Sequence, residues 1–480
     1  MGIGNSHIRH SRAKVLGGCS SHNTLISFRA FERDMADWQA RGAAGWDFAT
    51  MTRLVDGLRN TIQPVHARHR NALVTDWIAA CSAALGVPVV DDFNAAIRAR
   101  GGLASGAGFF SVAYNPIDGR RSSASVAYLH PVLCGHERRP NLTVLTNAWV
   151  SRVNLSPAPP PTATLDAAAT ATPTAAPTAT TSTSTSTSTS TAGAATGDAR
   201  AAESVVVTLQ SGITATLLAR QEIVLCAGAI DTPRLLLLSG IGPRAQLAGL
   251  GVPVQLDVPG VGENLLDHAE TIIMWELHEP MPPATTMDSD AGLFLDGDGD
   301  GVADLMMHTY QIPFAANTAR LGYDVPRHAF CVTPNVPRPR SVGRLYLVSA
   351  DPRTKPALDF CYFTDPAGHD ARTLVDGLRT ARRAAQAAPF ARHLKREVAP
   401  GLQLQSDHEL DEYARAAAHT VYHPAGTTKM GDLCADPLAV VAPDLRVRGV
   451  ARLRIADAGI FPSMVTVKWS SPTPPALGVG

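Results

Sequence analysis

The sequence predicts an α/β (α+β) fold, arranged as two domains or as one large unit with an inserted lobe, and three observations favour it. The 480 residues are enough for two domains with substantial cores. At 221–243 the run QEIVLCAGAIDTPRLLLLSGIGP passes from a short apolar strand through a tight turn into a helix, which indicates α/β layering. Residues 271–350 mix strand-like pieces with loops, which is typical of a more antiparallel lobe.

The segment 156–200 divides the first half of the chain. It consists almost wholly of Ala, Thr, Ser and Pro, so it cannot bury enough apolar surface to fold, and we predict a disordered insertion. The residues on both sides are rich in β-branched side chains and alternate in polarity. They predict a β-hairpin or meander with a long connection.

The elements that follow are predicted from periodicity and capping. In the run at 221–243, Thr232 is expected to cap the helix and Pro233 to lie in its first turn. The strand-like pieces of the lobe are TIIMWEL, ADLMMHTY and SVGRLYLVS. The apolar spacing of 369–388 predicts an amphipathic helix with a solvated basic face, and DHELDEYARAAA at 407–418 predicts another helix.

Charge and cysteine content narrow the class of function. Lys plus Arg and Asp plus Glu number 42 each and form no long run of one sign, so nothing favours nucleic acid or an anionic membrane as a partner. The seven cysteines are scattered and show no C-x-x-C, which argues against a disulfide framework or a zinc site. The sequence shows no signal peptide and no apolar run of about 18 residues, so we expect a cytoplasmic protein with a small-molecule partner.

The acidic string DGDGDG at 296–301 resembles the start of a calcium loop. Met307 stands at the twelfth position, where such a loop has a bidentate Glu, and no helix leads into the string. No metal site is therefore predicted, and a calcium-binding module is kept as an alternative.

A glycine pair near the start of the chain indicates a ligand cradle. Gly17 and Gly18 allow close approach of the backbone, and the small polar residues 19–23 can offer several donors to one ligand.

Four motifs, in order, carry a resemblance to a known family. RAKVLGGCSSHN at 12–23, GAIDTPRLLLLSGIG at 228–242, PGVGENLLDH at 259–268 and YHPAGTTKMG at 422–431 are similar to motifs of the glucose-methanol-choline (GMC) oxidoreductases. Within that family the likeness is greatest to the members that oxidise choline. The resemblance spans nearly the whole chain.

The resemblance implies FAD, an alcohol donor and an FAD-binding domain interleaved with a substrate-binding lobe on a largely antiparallel sheet. It assigns 1–155, 201–270 and 406–480 to the FAD-binding domain and 271–405 to the lobe. Electrons are expected to pass to oxygen or another acceptor, and a homodimer is compatible with the family.

The resemblance also implies the catalytic residues. Alcohol oxidation needs a base for the hydroxyl proton while hydride leaves the carbon, and imidazole suits that task. From the residues alone His419 and His423 look equivalent. The family pattern makes His423 the base, leaves His419 as scaffold, and makes His308 a second imidazole that contacts the substrate oxygen. Lys468 stands where the family places Asn or His as the partner of the base.

The substrate residues follow from the chemistry of a quaternary ammonium. Such a cation cannot donate hydrogen bonds, so its site needs a carboxylate and aromatic faces. Glu270 matches the expected carboxylate, and Val421 and Tyr422 belong to the same site. Asp288 and Ser289 stand where choline-oxidising relatives have tryptophans, so part of the aromatic cage is expected to be missing.

The cofactor residues come from the same resemblance. His22 matches a histidine to which FAD is attached covalently, and Asn23 and Thr24 follow it beside the flavin. Val150 matches a backbone contact to adenine, and Asp457 and Ala458 match positions along the pyrophosphate and ribityl chain. Gly17 and Gly18 complete this set.

One departure concerns the dinucleotide cradle. The family opens with a strand, a G-x-G-x-x-G turn and a helix whose N-terminus binds the pyrophosphate. GIGNSH near the start does not fit that pattern, so an incomplete N-terminal Rossmann unit is expected. The predicted function is FAD-dependent oxidation of choline through betaine aldehyde to glycine betaine. The alternative is a flavin-free homologue with a binding role.

Overall fold

The computed structural model describes residues 8, 10–157, 200–282, 287 and 289–467. Nearly all of the predicted insertion at 156–200 lies outside these residues, as do Lys468 and Asp288. No helix within the described ranges is long and apolar enough to cross a membrane.

The described residues form ten α-helices. In chain order they are α1 (Glu32–Ala40), α2 (Phe48–Asp56), α3 (Ala72–Leu85), α4 (Phe93–Arg100), α5 (His130–Leu133), α6 (Gly228–Leu238), α7 (Arg244–Gly249), α8 (Ala316–Arg320), α9 (His369–Ala385) and α10 (Asp407–Ala417).

The described residues also form twenty β-strands. They are β1 (Gln63–Pro64), β2 (Gly106–Phe109), β3 (Ser111–Val112), β4 (Ala148–Leu155), β5 (Arg200–Leu209), β6 (Thr214–Leu218), β7 (Ile223–Leu225), β8 (Ile241–Gly242), β9 (Leu256–Asp257), β10 (Ala269–Glu270), β11 (Ile273–Leu277), β12 (Ala291–Leu295), β13 (Leu305–Tyr310), β14 (Ala329–Asn335), β15 (Arg344–Tyr346), β16 (Ala357–Asp359), β17 (Leu394–Ala399), β18 (His419–Thr420), β19 (Val450–Ala451) and β20 (Leu453–Ile455).

An eight-stranded antiparallel sheet forms the lobe, as the sequence predicts. Its order is β17-β11-β14-β13-β12-β2, and β10 pairs with both β14 and β18. The pieces TIIMWEL and ADLMMHTY supply β11 and β13, whereas SVGRLYLVS forms only β15 in a separate two-stranded sheet with β16. Helices α3 and α9 cover one face of the large sheet.

Close packing brings α9 onto that face. A Cβ at Gly377 would lie 2.3 Å from the Cβ of Pro334 and 3.1 Å from Leu305, so only glycine allows this approach of helix to sheet. Met307, two residues from Leu305, is fully buried in the same core. The other face of the sheet is left for the residues discussed below.

The second part of the fold contains parallel pairings. Strand β7 pairs with β20 and β5 pairs with β19, both parallel, while β4, β5 and β6 form an antiparallel meander. The meander confirms the strands predicted on both sides of 156–200. The strand, turn and helix predicted at 221–243 correspond to β7 and α6.

The start of α6 differs from the prediction. The helix begins at Gly228, not beside Thr232, and Pro233 lies inside it. Pro233 has no N–H for the carbonyl of Ala229, four residues back. The Thr427 hydroxyl donates to that carbonyl at 2.6 Å. A residue from the far end of the chain thus satisfies the group that the proline leaves open.

The basic face of α9 is also not entirely solvated. Arg382 is buried and donates from its Nε and Nη2 to the buried carboxylate of Glu397, at 2.8–3.2 Å. Its remaining donors reach the carbonyls of Gly401 and Leu404. The arginine therefore joins the helix to β17 and to the loop before α10.

Candidate active site

The centre of the site is a bulge between two antiparallel segments, 266–270 and 419–425. Leu266 and Ala425 exchange both backbone hydrogen bonds, and the amide of Val421 donates to the carbonyl of His268. The five residues 421–425 therefore lie opposite the three residues 266–268, and the two extra residues bend out of the ladder. This bulge carries Tyr422, whose φ is +64°, and His423.

Three hydrogen bonds hold the bulge in place. The His423 amide donates to Asp267 Oδ1 at 2.9 Å, and the Tyr422 amide donates to Thr420 Oγ1 at 2.7 Å. Arg12 donates to the Tyr422 carbonyl at 2.8 Å. Burial raises the pKa of Asp267 to about 6, although hydrogen bonds from Thr420, Tyr362 and the His423 amide oppose the shift.

A second imidazole contacts His423 directly. The Nδ1 atoms of His268 and His423 lie 2.8 Å apart, and the ring planes meet at 82°. His268 is buried, and its Nε2 faces the carbonyl oxygens of Pro337 at 2.9 Å and Val465 at 3.1 Å. His423 is half-buried.

Strand register brings Glu270 and His308 to the same face of the large sheet. Glu270 is paired with Asn335, and Asn335 is paired with Met306. Directly paired residues point the same way, and so do residues two apart on one strand. His308 follows Met306 by two residues and is buried, with its ring centroid 5.9 Å from that of Phe110. The face opposite α9 thus carries a carboxylate and an imidazole.

Glu270 has His419 and aromatic rings as neighbours. His419 Nδ1 lies 3.1 Å from Glu270 Oε1, and burial lowers the pKa of this histidine to about 4. Phe314 packs edge-on against His419 and stacks on Tyr310. Burial, and after it the negative charge of Glu270, raises the pKa values of Tyr310 and Tyr422. The negative charge of Glu270 therefore acts on both tyrosines.

Two predicted substrate residues occupy different environments. Val421 is buried against the ladder, whereas Tyr422 is 44% exposed. Ser289, predicted to replace a cage tryptophan, is buried, and its hydroxyl has no hydrogen-bond partner among the described residues. Tyr310 and Phe314 place aromatic rings at the site that the sequence pattern did not reveal.

The loop of Gly17 and Gly18 lies against the same bulge. The Arg12 side chain that reaches Tyr422 also contacts Cys19 Sγ at 3.9 Å. Gly17 has φ +86°, and a Cβ there would lie 2.5 Å from Ser21 Oγ, so glycine is required. A Cβ on Gly18 would meet no atom within 4 Å.

The expectation that residues 19–23 offer donors to a ligand does not hold for two of the side chains. The hydroxyls of Ser20 and Ser21 donate to the carbonyls of Gly17 and Leu16, at 2.6 and 2.7 Å, because the tight turn leaves those carbonyls otherwise open. They fold the loop on itself and are not offered to a ligand.

The residues predicted to lie beside the flavin ring come directly after that loop. His22 is exposed, and Thr24 is half-buried. Asn23 Oδ1 accepts from Arg121 at 2.8 Å and from the Leu25 amide at 3.0 Å, which holds the segment in place.

Asp457 joins the carboxyl ends of the two parallel strands β7 and β20. Its buried carboxylate accepts from the Gly228 amide at 2.9 Å, the Thr232 hydroxyl at 2.5 Å and the Gly459 amide at 2.8 Å. Burial raises its pKa despite these bonds. Ala458 continues the turn, its carbonyl accepting from Gly426 at 3.0 Å.

The residues at this joint fit a bound dinucleotide. Gly228 begins α6 with φ +88°, and a Cβ there would meet no atom within 4 Å, so a ligand has room beside this stretch of backbone. The hydroxyl of Thr428 is buried beside Gly459 and has no hydrogen-bond partner among the described residues. Val150 lies on β4 opposite Val207 and packs in the same core as α6.

Sequence reasoning missed His268 and Asp267, and it treated His419 as scaffold. His268 and Asp267 belong to the quoted motif PGVGENLLDH and lie within three residues of Glu270. Alternation along a strand puts residues 268 and 270 on one face, which was the available signal. No pattern in a single sequence shows that this segment pairs with 419–425.

The acidic string at 296–301 lies away from these residues. Asp296, Asp298 and Asp300 converge within 4.8 Å. Asp296 accepts from the amides of Gly299 and Gly301, and Asp300 pairs with Arg33. The carboxylates shape their own turn.

Known proteins of one enzyme family resemble this chain in sequence and in fold. Two family models described as GMC oxidoreductase match residues 2–270 and 339–476. The chain is 38% identical to choline oxidase of Arthrobacter globiformis over 481 residues, covering 97% of this chain and 79% of that enzyme. It is 29% identical to the oxygen-dependent choline dehydrogenase of Brucella canis, covering 98% and 81%. The solved structure of pyridoxine 4-oxidase from Mesorbium loti matches with a TM-score of 0.78 at 23% identity, covering 97% of this chain and 82% of that one.

Proposed function

Because the chain belongs to the GMC oxidoreductase family and is an FAD-dependent alcohol oxidoreductase, we propose that its substrate is choline or a closely similar quaternary ammonium alcohol. The product is betaine aldehyde and then glycine betaine. The observation that carries this proposal is the buried Glu270 carboxylate beside Tyr310 and Tyr422, on the sheet face that also holds His308.

The cation site is argued from desolvation. The charge of the Glu270 carboxylate, which is 1% exposed, acts strongly on a nearby cation because little water screens it. His419 beside it stays neutral at neutral pH, because burial lowers its pKa to about 4, so a trimethylammonium group can supply the positive charge. Aromatic faces attract such a cation by a further ~1–2 kcal/mol where water is excluded. Tyr310 and Tyr422 are the rings in position for that contact.

His423 is proposed to take the proton of the substrate hydroxyl. The O–H bond breaks and an N–H bond forms on the imidazole, while His308 contacts the same oxygen and stabilises its developing charge. Bound FAD supplies the acceptor for the hydride that leaves the substrate carbon. The residues proposed to hold it are Asp457 and Ala458 on one side and His22, Asn23 and Thr24 on the other.

The second oxidation uses the same groups. Water adds to the aldehyde to give a hydrate that again carries a hydroxyl beside a C–H bond. His423 can take this hydroxyl proton as it took the first, and Glu270 retains the unchanged ammonium group. We propose oxygen as the electron acceptor, because the two relatives compared are named as an oxidase and an oxygen-dependent dehydrogenase.

Two isosteric substrates test this proposal. Choline and 3,3-dimethylbutan-1-ol have the same shape, but only choline is charged. The flavin-loaded protein should favour choline in kcat/KM by on the order of 100-fold, equivalent to roughly 3 kcal/mol. Glu270→Gln should remove most of this preference by raising the KM for choline, and turnover of the neutral alcohol should persist.

A carboxylate outside the site gives the matched control. Glu276 on β11 is paired with Lys395 and Arg396 at the surface, so Glu276→Gln should leave both substrates unaffected. Equal use of the two alcohols by the unaltered protein would contradict a cation site. Failure to oxidise either one would contradict the catalytic proposal.

A further inference from the structure

We propose that His268 is a positioning residue that fixes which nitrogen of His423 carries the proton. This inference rests on the proposed role of His423 as the base. The observation behind it is the pair of rings at 2.8 Å between their Nδ1 atoms, together with the two carbonyl oxygens at the far side of His268.

The tautomer of His268 follows from its partners. Carbonyl oxygens only accept hydrogen bonds, and two of them, from Pro337 and Val465, lie within 3.1 Å of Nε2. Nε2 must therefore carry a hydrogen. In a neutral imidazole the other nitrogen is then an acceptor, so His268 presents a lone pair on Nδ1.

The state of His423 follows in turn. Its Nδ1 lies at hydrogen-bond distance from that lone pair, so it must be the donor. A neutral His423 with its hydrogen on Nδ1 has its basic lone pair on Nε2. His268 thereby selects the His423 tautomer with hydrogen on Nδ1, in which Nε2 can accept a proton.

The same contact also serves the protonated state. When Nε2 takes the hydroxyl proton, both nitrogens of His423 carry hydrogen and the ring gains a positive charge. The Nδ1–H bond to His268 becomes charge-assisted and is strengthened. His268 needs no change of its own tautomer in this step, so no reorganisation accompanies proton transfer.

The surroundings keep His268 rigid. Thr466, next to Val465, donates from its amide and hydroxyl to Asp34 at 2.8 and 2.7 Å, which holds the carbonyl that His268 contacts. Asp267, the neighbour of His268, holds the His423 amide. Two consecutive residues thus hold the base by its backbone and by its ring.

Three variants separate positioning from a general effect on packing. His268→Leu removes the acceptor, so kcat should fall roughly 100-fold or more with little change in KM, since a base in the wrong tautomer is ineffective. His268→Gln offers an amide oxygen to His423 and an NH2 group to the two carbonyls, and it should recover most of the lost kcat. His408→Leu, the same substitution at a largely exposed position on α10, should leave both constants unchanged.

Nitrogen NMR of the imidazoles gives a readout independent of turnover. In protein labelled with ¹⁵N at histidine, the His423 ring, identified by its loss in His423→Gln, should show hydrogen on Nδ1 and none on Nε2. His268→Leu should shift this ring toward the Nε2–H form, and His268→Gln should restore it.

The possible results separate this inference from the proposed function. An Nε2–H signal for His423 in the unaltered protein, or a kcat for His268→Gln as low as that for His268→Leu, would overturn the positioning role. The expected tautomer in a protein that oxidises no alcohol would instead contradict the catalytic role of His423, and with it the purpose assigned to His268.

Discussion

At the scale of single residues, the site depends on one unusual backbone conformation. Tyr422 has φ +64°, a region that costs a residue with a side chain about 1–3 kcal/mol. Three hydrogen bonds hold it there. The Tyr422 amide donates to Thr420, and the Tyr422 carbonyl accepts from Arg12. The amide of His423, the next residue, donates to Asp267. The strained position is the one that turns His423 out of the ladder toward His268.

The covalent attachment proposed for His22 gives a residue-scale prediction. After the loaded protein is denatured and filtered, the yellow flavin should stay with the chain, because a bond to an imidazole nitrogen survives unfolding. His22→Asn should release its flavin into the filtrate. His136→Asn, at an exposed histidine elsewhere, should retain it. Release of all the flavin by the unaltered protein would exclude the bond.

At the scale of elements, the interior proline of α6 makes a prediction about Thr427. Thr427→Val removes the hydroxyl that serves the Ala229 carbonyl and should lower the free energy of unfolding by about 2 kcal/mol, the cost of a buried unsatisfied acceptor. In a Pro233→Ala background the new amide can bond Ala229, so the same change should cost at least ~1 kcal/mol less.

Urea titration of the four proteins of this cycle measures the coupling. Additive effects of the two substitutions would show that Thr427 does not replace the missing bond of Pro233.

The buried pair that joins α9 to β17 gives a second prediction at this scale. Glu397→Gln leaves the Arg382 guanidinium buried without its counter-charge and should lower the free energy of unfolding by roughly 3 kcal/mol. Lys395 lies on the same strand as Glu397, and Lys395→Gln breaks its pair with Glu276 of β11 at the surface, which should cost less than about 1 kcal/mol. Urea denaturation measures both variants, and an equal loss of unfolding free energy in the two would show that burial of the Arg382–Glu397 pair makes no difference.

The sequence pattern predicted the elements whose formation depends on neighbouring residues alone. The apolar period of 369–388 is realised as α9, and the strand-like run TIIMWEL is realised as β11, because the apolar side chains of both elements are buried. The start of α6 was misplaced because Thr232 and Pro233 imitate a cap and first turn. Thr232 instead bonds Asp457, 225 residues away, and no local signal reveals such a partner.

The site shows the same division. His423, His308 and Glu270 were proposed from motifs, and the sheet register explains how Glu270 and His308 share a face. His268 and His419 gained their contacts from pairing between segments about 150 residues apart, as in the His268–His423 contact at a separation of 155. Strand pairing over that distance depends on the whole fold.

At the scale of the whole molecule, Asp34 predicts a dependence of stability on pH. Burial raises its pKa from 3.8 to about 6, although Thr466 hydrogen bonds oppose the shift. The folded state therefore binds more protons than the unfolded state between these values. The free energy of unfolding should fall as pH rises through that window, by roughly 3 kcal/mol from this group.

Asp34→Asn isolates this contribution, because Asp267, whose pKa is also raised to about 6, is unchanged in the variant. Urea titrations at several pH values between 4 and 7 should give a flatter dependence for the variant than for the unaltered protein. Parallel curves would contradict the raised pKa of Asp34.

The parallel pairs β7–β20 and β5–β19 impose an order on biosynthesis. A nascent chain leaves the ribosome from its N-terminus, and the lobe can complete β11, β14 and β17 once residue 399 has emerged. The partner of β7 and the Val465 carbonyl that His268 contacts arrive only with the last described residues. A chain released before that point would carry a nearly finished lobe but no catalytic centre, and it would lack much of the core that packs around α6.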